Sequence, residues 1–400
     1  MACVAPRPRQ PAGLYLLFGV EMWERFSYYG MRAFLVLFLV SNAGGLGWSK
    51  QEAANLYGWY TSLVYLTPLI GGYLADRYLG THRAIIIGSI VIAAGHFSLA
   101  LQGMPTFYLG LALIILGTGF FKSNISTMVG QLYQPGDPRR DGAFTIFYMG
   151  INLGAALGPL VCGYLAQSPR FGWHWGFGAA GVGMGLGLIT YLLLRPRCLR
   201  GIGERPVNHG RSSEITTHQP LTREDWRGIA AVVILAFFNI FFWVAFEQAG
   251  SSLTFFAEER TRREFLGLTF LAPYFQSINP VAILVLAPVF AWLWGRLAAR
   301  RREPSTPVKF AFGLLLNSLG FAVMVVAASL SGAGDRVSPL WLVTTYLLQT
   351  CGELCLSPVG LSMVTKLAPA RFASLMMGIW FLSSVASNRL AGVLAGQPLA

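Results

Sequence analysis

Glu21, Arg25, Tyr28 and Arg32, within VEMWERFSYYGMR, could together hold and move charge. Spacings of four, three and four residues place them on one face of a helix. Glu24 is offset by one position from Arg25, and Tyr29 lies one turn beyond it. An ionised side chain at the centre of a membrane helix costs at least about 2.5–3.5 kcal/mol, so such groups line a polar cavity and have partners. That argues against an anchor at the helix end, because the group reaches the middle of a long apolar run. Lys122 sits deep in another apolar run, LGTGFFKSNIS. The GTGFFKS segment lacks the G-x-x-x-x-G-K-[ST] spacing and no strand precedes it, so it is not a phosphate loop. Glu247 and Gln248 fall in FFWVAFEQAGSSL, and Glu353 and Ser357 lie one turn apart in LLQTCGELCLSPVG. Gln276, Asn279 and Pro280 add polarity to a further run.

Sign separates these groups along the chain. Arg25, Arg32 and Lys122 are in the first half; Glu247 and Glu353 are in the second. A cleft between the halves would be positive on one wall and negative on the other. A zwitterion whose charges are several ångströms apart fits that field, and a short peptide is such a molecule. Embedded carboxylates also suit proton transfer: burial raises a carboxyl pKa and a neighbouring cation lowers it. Glu247 is expected to exchange protons as its pairing with Arg32 makes and breaks, with Glu21 and Glu24 acting likewise against Arg25 and Lys122. Tyr57 and Tyr65 are two turns apart on one stripe, which packing alone would also explain, and the same holds for Trp380. The run GAAGVGMGLG reads as close helix packing.

The elements that position these residues are membrane helices. The chain has 400 residues, 54% hydrophobic and 12% charged, half the charge of an ordinary soluble domain at about 25%. A bilayer core of about 30 Å needs roughly 20 apolar residues per helix. Segments near 14–40, 52–75, 82–102, 105–129, 142–166, 173–194, 228–257, 267–295, 308–330, 339–365 and 372–396 meet that need. The fold class is therefore an all-α membrane protein with eleven spans. Lys and Arg concentrate in alternate connections, including Arg77, Arg83, Arg139, Arg140, Arg195, Arg197 and the group Arg296, Arg300, Arg301, Arg302. This asymmetry predicts a cytoplasmic N-terminus. The polar stretch 196–227 predicts a linker between a six-span unit, 1–195, and a five-span unit, 228–400. A Pro-anchored match, Thr67-Pro68 before GGYLADR and Ala287-Pro288 before VFAWLWGR, hints at two related halves.

The net charge of +13 lies in short loops, not on an aromatic-interleaved face, which excludes nucleic acid as the partner. Cys351 and Cys355 are one helical turn apart but no histidine is near them, so buried side chains and no metal are expected. No cofactor is expected other than protons as coupling ion, and no cleavable signal peptide is apparent at MACVAPRPRQ.

These residues resemble a known family. Glu21-x-x-Glu24-Arg25-Phe26 with Tyr28-Tyr29-Gly30 is similar to the first-helix signature of the proton-dependent oligopeptide transporters (POT/PTR) of the major facilitator superfamily. GGYLADRYLG, FFK at 120–122, FYMGINLG around Asn152, FEQAGSSL, QSINP and GELCLSPVGLS follow in the same order, over residues 14 to 392. The resemblance implies the major facilitator fold, two pseudo-symmetric helix bundles, and import of di- and tripeptides with protons by alternating access. It implies that Arg25 and Lys122 face the peptide carboxylate, and that Glu353, with Asn279 and Asn152, faces the amine. Tyr29, Tyr65, Ser357 and Trp380 would line the pocket, with Glu21, Glu24, Arg32 and Glu247 serving coupling. A monomer in a bacterial plasma membrane is expected. The family pattern also implies a twelfth span, missing after the eleventh, and a proline after the Lys122 position, where this chain has Ser123. A nitrate or other small-solute symporter and, in a different class, a passive channel are the alternatives. An enzyme has no supporting Ser-His pair, zinc spacing or nucleotide loop.

Overall fold

The computed structural model describes residues 9–134, 136–204, 222–265, 267–332, 335–367 and 373–397. Its first six long helices are α1 (Ala12–Val40), α2 (Lys50–Leu74), α3 (Thr81–Ala100), α4 (Met104–Gln131), α5 (Arg139–Gln167) and α6 (Trp173–Cys198). After the linker come α7 (Arg223–Phe246), α8 (Ser252–Glu259), α9 (Ile278–Ala299), α10 (Thr306–Leu330), α11 (Leu340–Leu367) and α12 (Ala373–Ala395). With α7 and α8 counted as one broken span, these are the eleven predicted spans. Seven helical stretches among the described residues are long and apolar enough to cross a membrane by length and composition. In lipid, the helix is the open-chain form that satisfies its own backbone. Much of the predicted linker, 205–221, lies outside the described residues.

Two predicted spans need correction. Residues 228–257 do not form one helix. The α-helix stops at Phe246, a 3-10 turn covers Glu247–Gly250, and the chain bends at Ser251 before α8. Hydropathy is blind to this break, which the run EQAGSS provides. Residues 267–295 likewise do not start as a helix: a two-stranded hairpin pairs Glu264 with Thr269, and a 3-10 segment, Ala272–Ser277, precedes α9.

Within the first half, glycines let backbones touch. A Cβ on Gly154 would lie 2.1 Å from Met22 O, and one on Gly71 would lie 2.1 Å from Gly119 O. Gly183 and Gly187 of α6 meet Phe26 and Trp23 of α1 and Gly181 meets Phe97 of α3, so these three glycines of the run are at close contacts, whereas Gly185 has no atom within 4 Å. α4 stays helical through Ser123, whose Oγ donates to Pro68 O of α2 at 3.3 Å.

The two halves meet over one part of their length. The end of the molecule holding Ala12 is the near end; the end holding the α1–α2 connection is the far end. Gly58 abuts Gly392, Gly163 abuts Pro273, Ser62 Oγ donates to Val385 O (3.1 Å), and Ser277 Oγ donates to Ala156 O (2.7 Å). At the rim, Gln167 Nε2 donates to Glu258 Oε2 (2.9 Å) and Lys50 pairs with Glu259 (2.7 Å). All of these use the far halves of α2 and α5. Among the described residues, no hydrogen bond joins the near halves of the two bundles.

Candidate functional site

α1 is the central element. It is buried along most of its length, including Glu21, Glu24, Arg25 and Arg32. It can bury four charges because they meet one another and groups across the halves. Arg25 Nε donates to Glu21 Oε1 at 2.7 Å and lies 3.0 Å from Glu24 Oε2. Glu21 Oε2 and both Glu24 oxygens have no hydrogen-bond donor among the described residues. The carboxylates therefore hold acceptor capacity in reserve beside a single guanidinium.

Two turns further on, Arg32 spans the interface. It donates to Tyr57 Oη of α2 and to Glu247 Oε2 of the 3-10 break. The guanidinium carbon also lies 6.0, 5.7 and 5.6 Å from the ring centroids of Tyr28, Tyr29 and Tyr57. The break ending α7 places Glu247 at that seam. Gly250 makes room for the arrangement, since a Cβ there would lie 1.8 Å from Tyr57 Oη.

Lys122 is placed differently from its expected pairing. Its Nζ stands 3.5 Å from the centroid of the Tyr65 ring, a cation–π contact with α2. It is within electrostatic range of Arg25, Glu24, Glu21 and Glu247, but no carboxylate among the described residues is in ion-pair contact with it. The lysine is thus a cation held by an aromatic face, with its charge uncancelled by contact.

On the other wall, Asn279 Nδ2 donates to Glu353 Oε2 (2.9 Å) and to Thr350 Oγ1 (3.0 Å). Asn279 stands at the start of α9, where the 3-10 segment hands over to the helix. Ser357 Oγ, one turn from Glu353, is buried without a partner among the described residues. Tyr29 links the walls: it is half-buried and within electrostatic range of Arg25, Arg32, Glu247 and Glu353.

Two expected residues have other neighbours. Asn152 is buried and donates to its own helix at Tyr148 O (3.0 Å). Trp380 is packed in the second bundle with Phe242, Leu356 and Phe310, its ring meeting Phe310 edge-on at 6.4 Å. Tyr57 and Thr350 went unassigned in the sequence. Tyr57 had a signal, its two-turn spacing from Tyr65; Thr350 had none. Among the described residues no group of three or more His, Cys, Asp or Glu could hold a metal. A cavity of about 1240 Å³ opens at the far end, lined by Phe38, Trp173, Glu258 and Arg263, and none of the candidate residues lines it.

The charge arrangement is that of a solute carrier, and known proteins agree. A sequence profile of the POT family matches residues 82–198 and 204–399. Peptide transporter YePEPT of Yersinia enterocolitica is 40% identical over 97% of this chain and 88% of its own length. A di-/tripeptide transporter of Lactococcus lactis is 37% identical over 95% of this chain and 88% of its own. The crystal structure of a peptide transporter POT in complex with sulfate superposes with a TM-score of 0.90 at 39% identity, covering 98% of this chain and 89% of that one. With a buried charged helix, a seam closed at one end and these matches along nearly its whole length, the chain is a multi-pass membrane transporter and belongs to the POT family.

Proposed function

We propose that this chain imports di- and tripeptides together with protons by alternating access between two bundles, residues 1–195 and 228–400, joined by 196–227. Arg25 and Lys122 bind the peptide carboxylate. Glu353, oriented by Asn279 and assisted by Asn152, binds the ammonium. Tyr29, Tyr65, Ser357 and Trp380 line the pocket between them. The observation that carries this reading is that buried bases and acids face each other across the halves, Arg32 meeting Glu247 at the seam and Glu353 being held by Asn279 on the second wall. A lone anion would have no use for Glu353, and an uncharged sugar none for either pole.

Coupling runs through the seam. With Glu247 ionised, Arg32 ties the halves together at mid-depth, beneath the contacts that close the far end. A proton on Glu247 removes its charge, weakens the pair and lets the far end part. Glu21 and Glu24, which share Arg25, take a proton when a peptide carboxylate claims that guanidinium. With a cytoplasmic N-terminus, the far end faces outward, so the structure corresponds to the inward-facing state. The transporter works as a monomer in a bacterial plasma membrane and needs no cofactor.

Uptake of labelled dialanine into proteoliposomes tests this directly. An inward proton gradient is expected to drive accumulation above the external concentration. Unlabelled tripeptides should compete, and free alanine, N-acetylated dialanine and nitrate should not. Uptake that only equilibrates, whatever the gradient, would mean a channel; competition by nitrate would mean an anion carrier.

A further inference from the structure

Four arginines crowd the near end of α9: Arg296, Arg300, Arg301 and Arg302. All are exposed, and none has an ion pair among the described residues. The acid beside them, Glu303, is taken by Lys309 at 2.5 Å. Elsewhere on this end, Arg139 is paired with Asp137 (2.7 Å) and Arg195 with Glu204 (2.8 Å). Among the described residues, single exposed arginines without an ion pair also occur elsewhere on this end, at Arg83, Arg197 and Arg227, but the tip of α9 gathers four within seven residues.

The backbone gathers that charge. Arg301 has a φ of 54°, and the turn it makes lets Arg301 N–H donate to Ala298 O (2.9 Å) and Arg302 N–H to Leu297 O (2.9 Å). Three successive guanidinium-bearing residues therefore wrap the helix end and do not trail from it. Tryptophans fix the depth. Arg296 lies 5.1 Å from the centroid of the exposed Trp292 ring, and Lys309 Nζ lies 4.7 Å from that of Trp294. Paired Trp and cation at one level mark a membrane–water boundary. In α9 only Pro280, Ala282 and Ile283, all near its start, are buried, and Val289, Trp292 and Leu293 form an exposed apolar flank beside the arginines.

We propose that the tip of α9 binds the phosphate head group of an acidic phospholipid, its acyl chains lying along Trp292. Arginine forks engage phosphate oxygens in pairs, which a lysine ammonium cannot do. Free phosphate offers the same oxygens, but the exposed Trp292 face would then be unused. The proposal needs only that the chain spans a membrane and is independent of the peptide reading.

Purified full-length protein in neutral detergent is titrated with phosphatidylglycerol, and thermal stabilisation is recorded against added lipid. In R300Q/R301Q/R302Q the half-saturating lipid concentration is expected to rise about tenfold or more, because each arginine near the head groups adds to the attraction. The control R197Q/R200Q, at the near end of α6, should titrate like the parent. If the Gln triple does not fold, R300K/R301K/R302K keeps the charge and should still bind several-fold more weakly than the parent. Parent-like titration by either triple variant overturns the site, as does an equal loss in the control. Stabilisation by inorganic phosphate or glycerol 3-phosphate matching that by phosphatidylglycerol overturns the lipid assignment.

Discussion

The first half of the chain is built around a helix that is buried almost throughout; the second half is built around one that breaks. α1 packs its backbone against Gly154 and Gly158 of α5 and its Trp23 and Phe26 side chains against Gly183 and Gly187 of α6, so its charges sit on a scaffold with little freedom. α7 gives way to a 3-10 turn at Glu247, and α9 is buried only near its start. Arg25 and Arg32 are thus on the rigid side, and the acid Glu247 is at the break in α7. A fixed positive wall facing an adjustable negative one gives a carrier both an address for its substrate and a part that moves.

The largest expected effect comes from removing the link between the halves. Glu247→Gln keeps the shape but leaves Arg32 with Tyr57 and no counter-charge. Breaking one side of a buried pair costs about 3–5 kcal/mol, and here that cost falls on the far-end-closed state. Proton-driven accumulation of dialanine should be abolished, while counterflow exchange, which needs no net proton movement, persists. Glu247→Gln protein that still concentrates dialanine against its gradient would remove Glu247 from coupling, and with it the idea that the broken helix is the moving part.

A smaller effect tests rigidity itself. Gly154→Ala puts a methyl 2.1 Å from Met22 O, so α1 and α5 must separate. Overpacking of this kind costs about 1–3 kcal/mol, read as a melting temperature several degrees lower in detergent. Gly295→Ala in α9 meets no atom within 4 Å and should stabilise by up to about 1 kcal/mol through lost unfolded-chain freedom. Equal destabilisation by the two changes would erase the contrast between the halves.

Much of this contrast was legible in the sequence, because charges in apolar runs are costly and therefore conspicuous. Glu21, Arg25 and Arg32 share a face as their spacing dictated, and Arg32 meets Glu247 as charge separation suggested. What was not legible depended on local backbone or on a partner from another helix. The break at Glu247 leaves hydropathy unchanged, since Phe, Leu and Ala continue on both sides of it. Lys122 was expected beside a carboxylate and lies over the Tyr65 ring, because a cation can be satisfied by an aromatic face that carries no charge to read. Thr350 became a partner of Asn279 only when α9 and α11 came together.

The rim of the far end should matter least, and for a reason that follows from position. Lys50 and Glu259 are 52% and 45% exposed, whereas Arg32 and Glu247 at the middle of the same seam are 6% and 5% exposed. In water an exposed pair contributes about 0.2–1 kcal/mol, equivalent to at most about a fivefold change in the ratio of closed to open forms. Lys50→Gln should therefore shift that ratio slightly toward the open far end. Distance measurements between spin labels on the α1–α2 and α10–α11 loops would show it as a modest second population, which high salt reproduces in the parent by screening the pair. A Lys50→Gln effect as large as that of Glu247→Gln would place the latch at the rim, and the buried Arg32 pair would then be structural support for it.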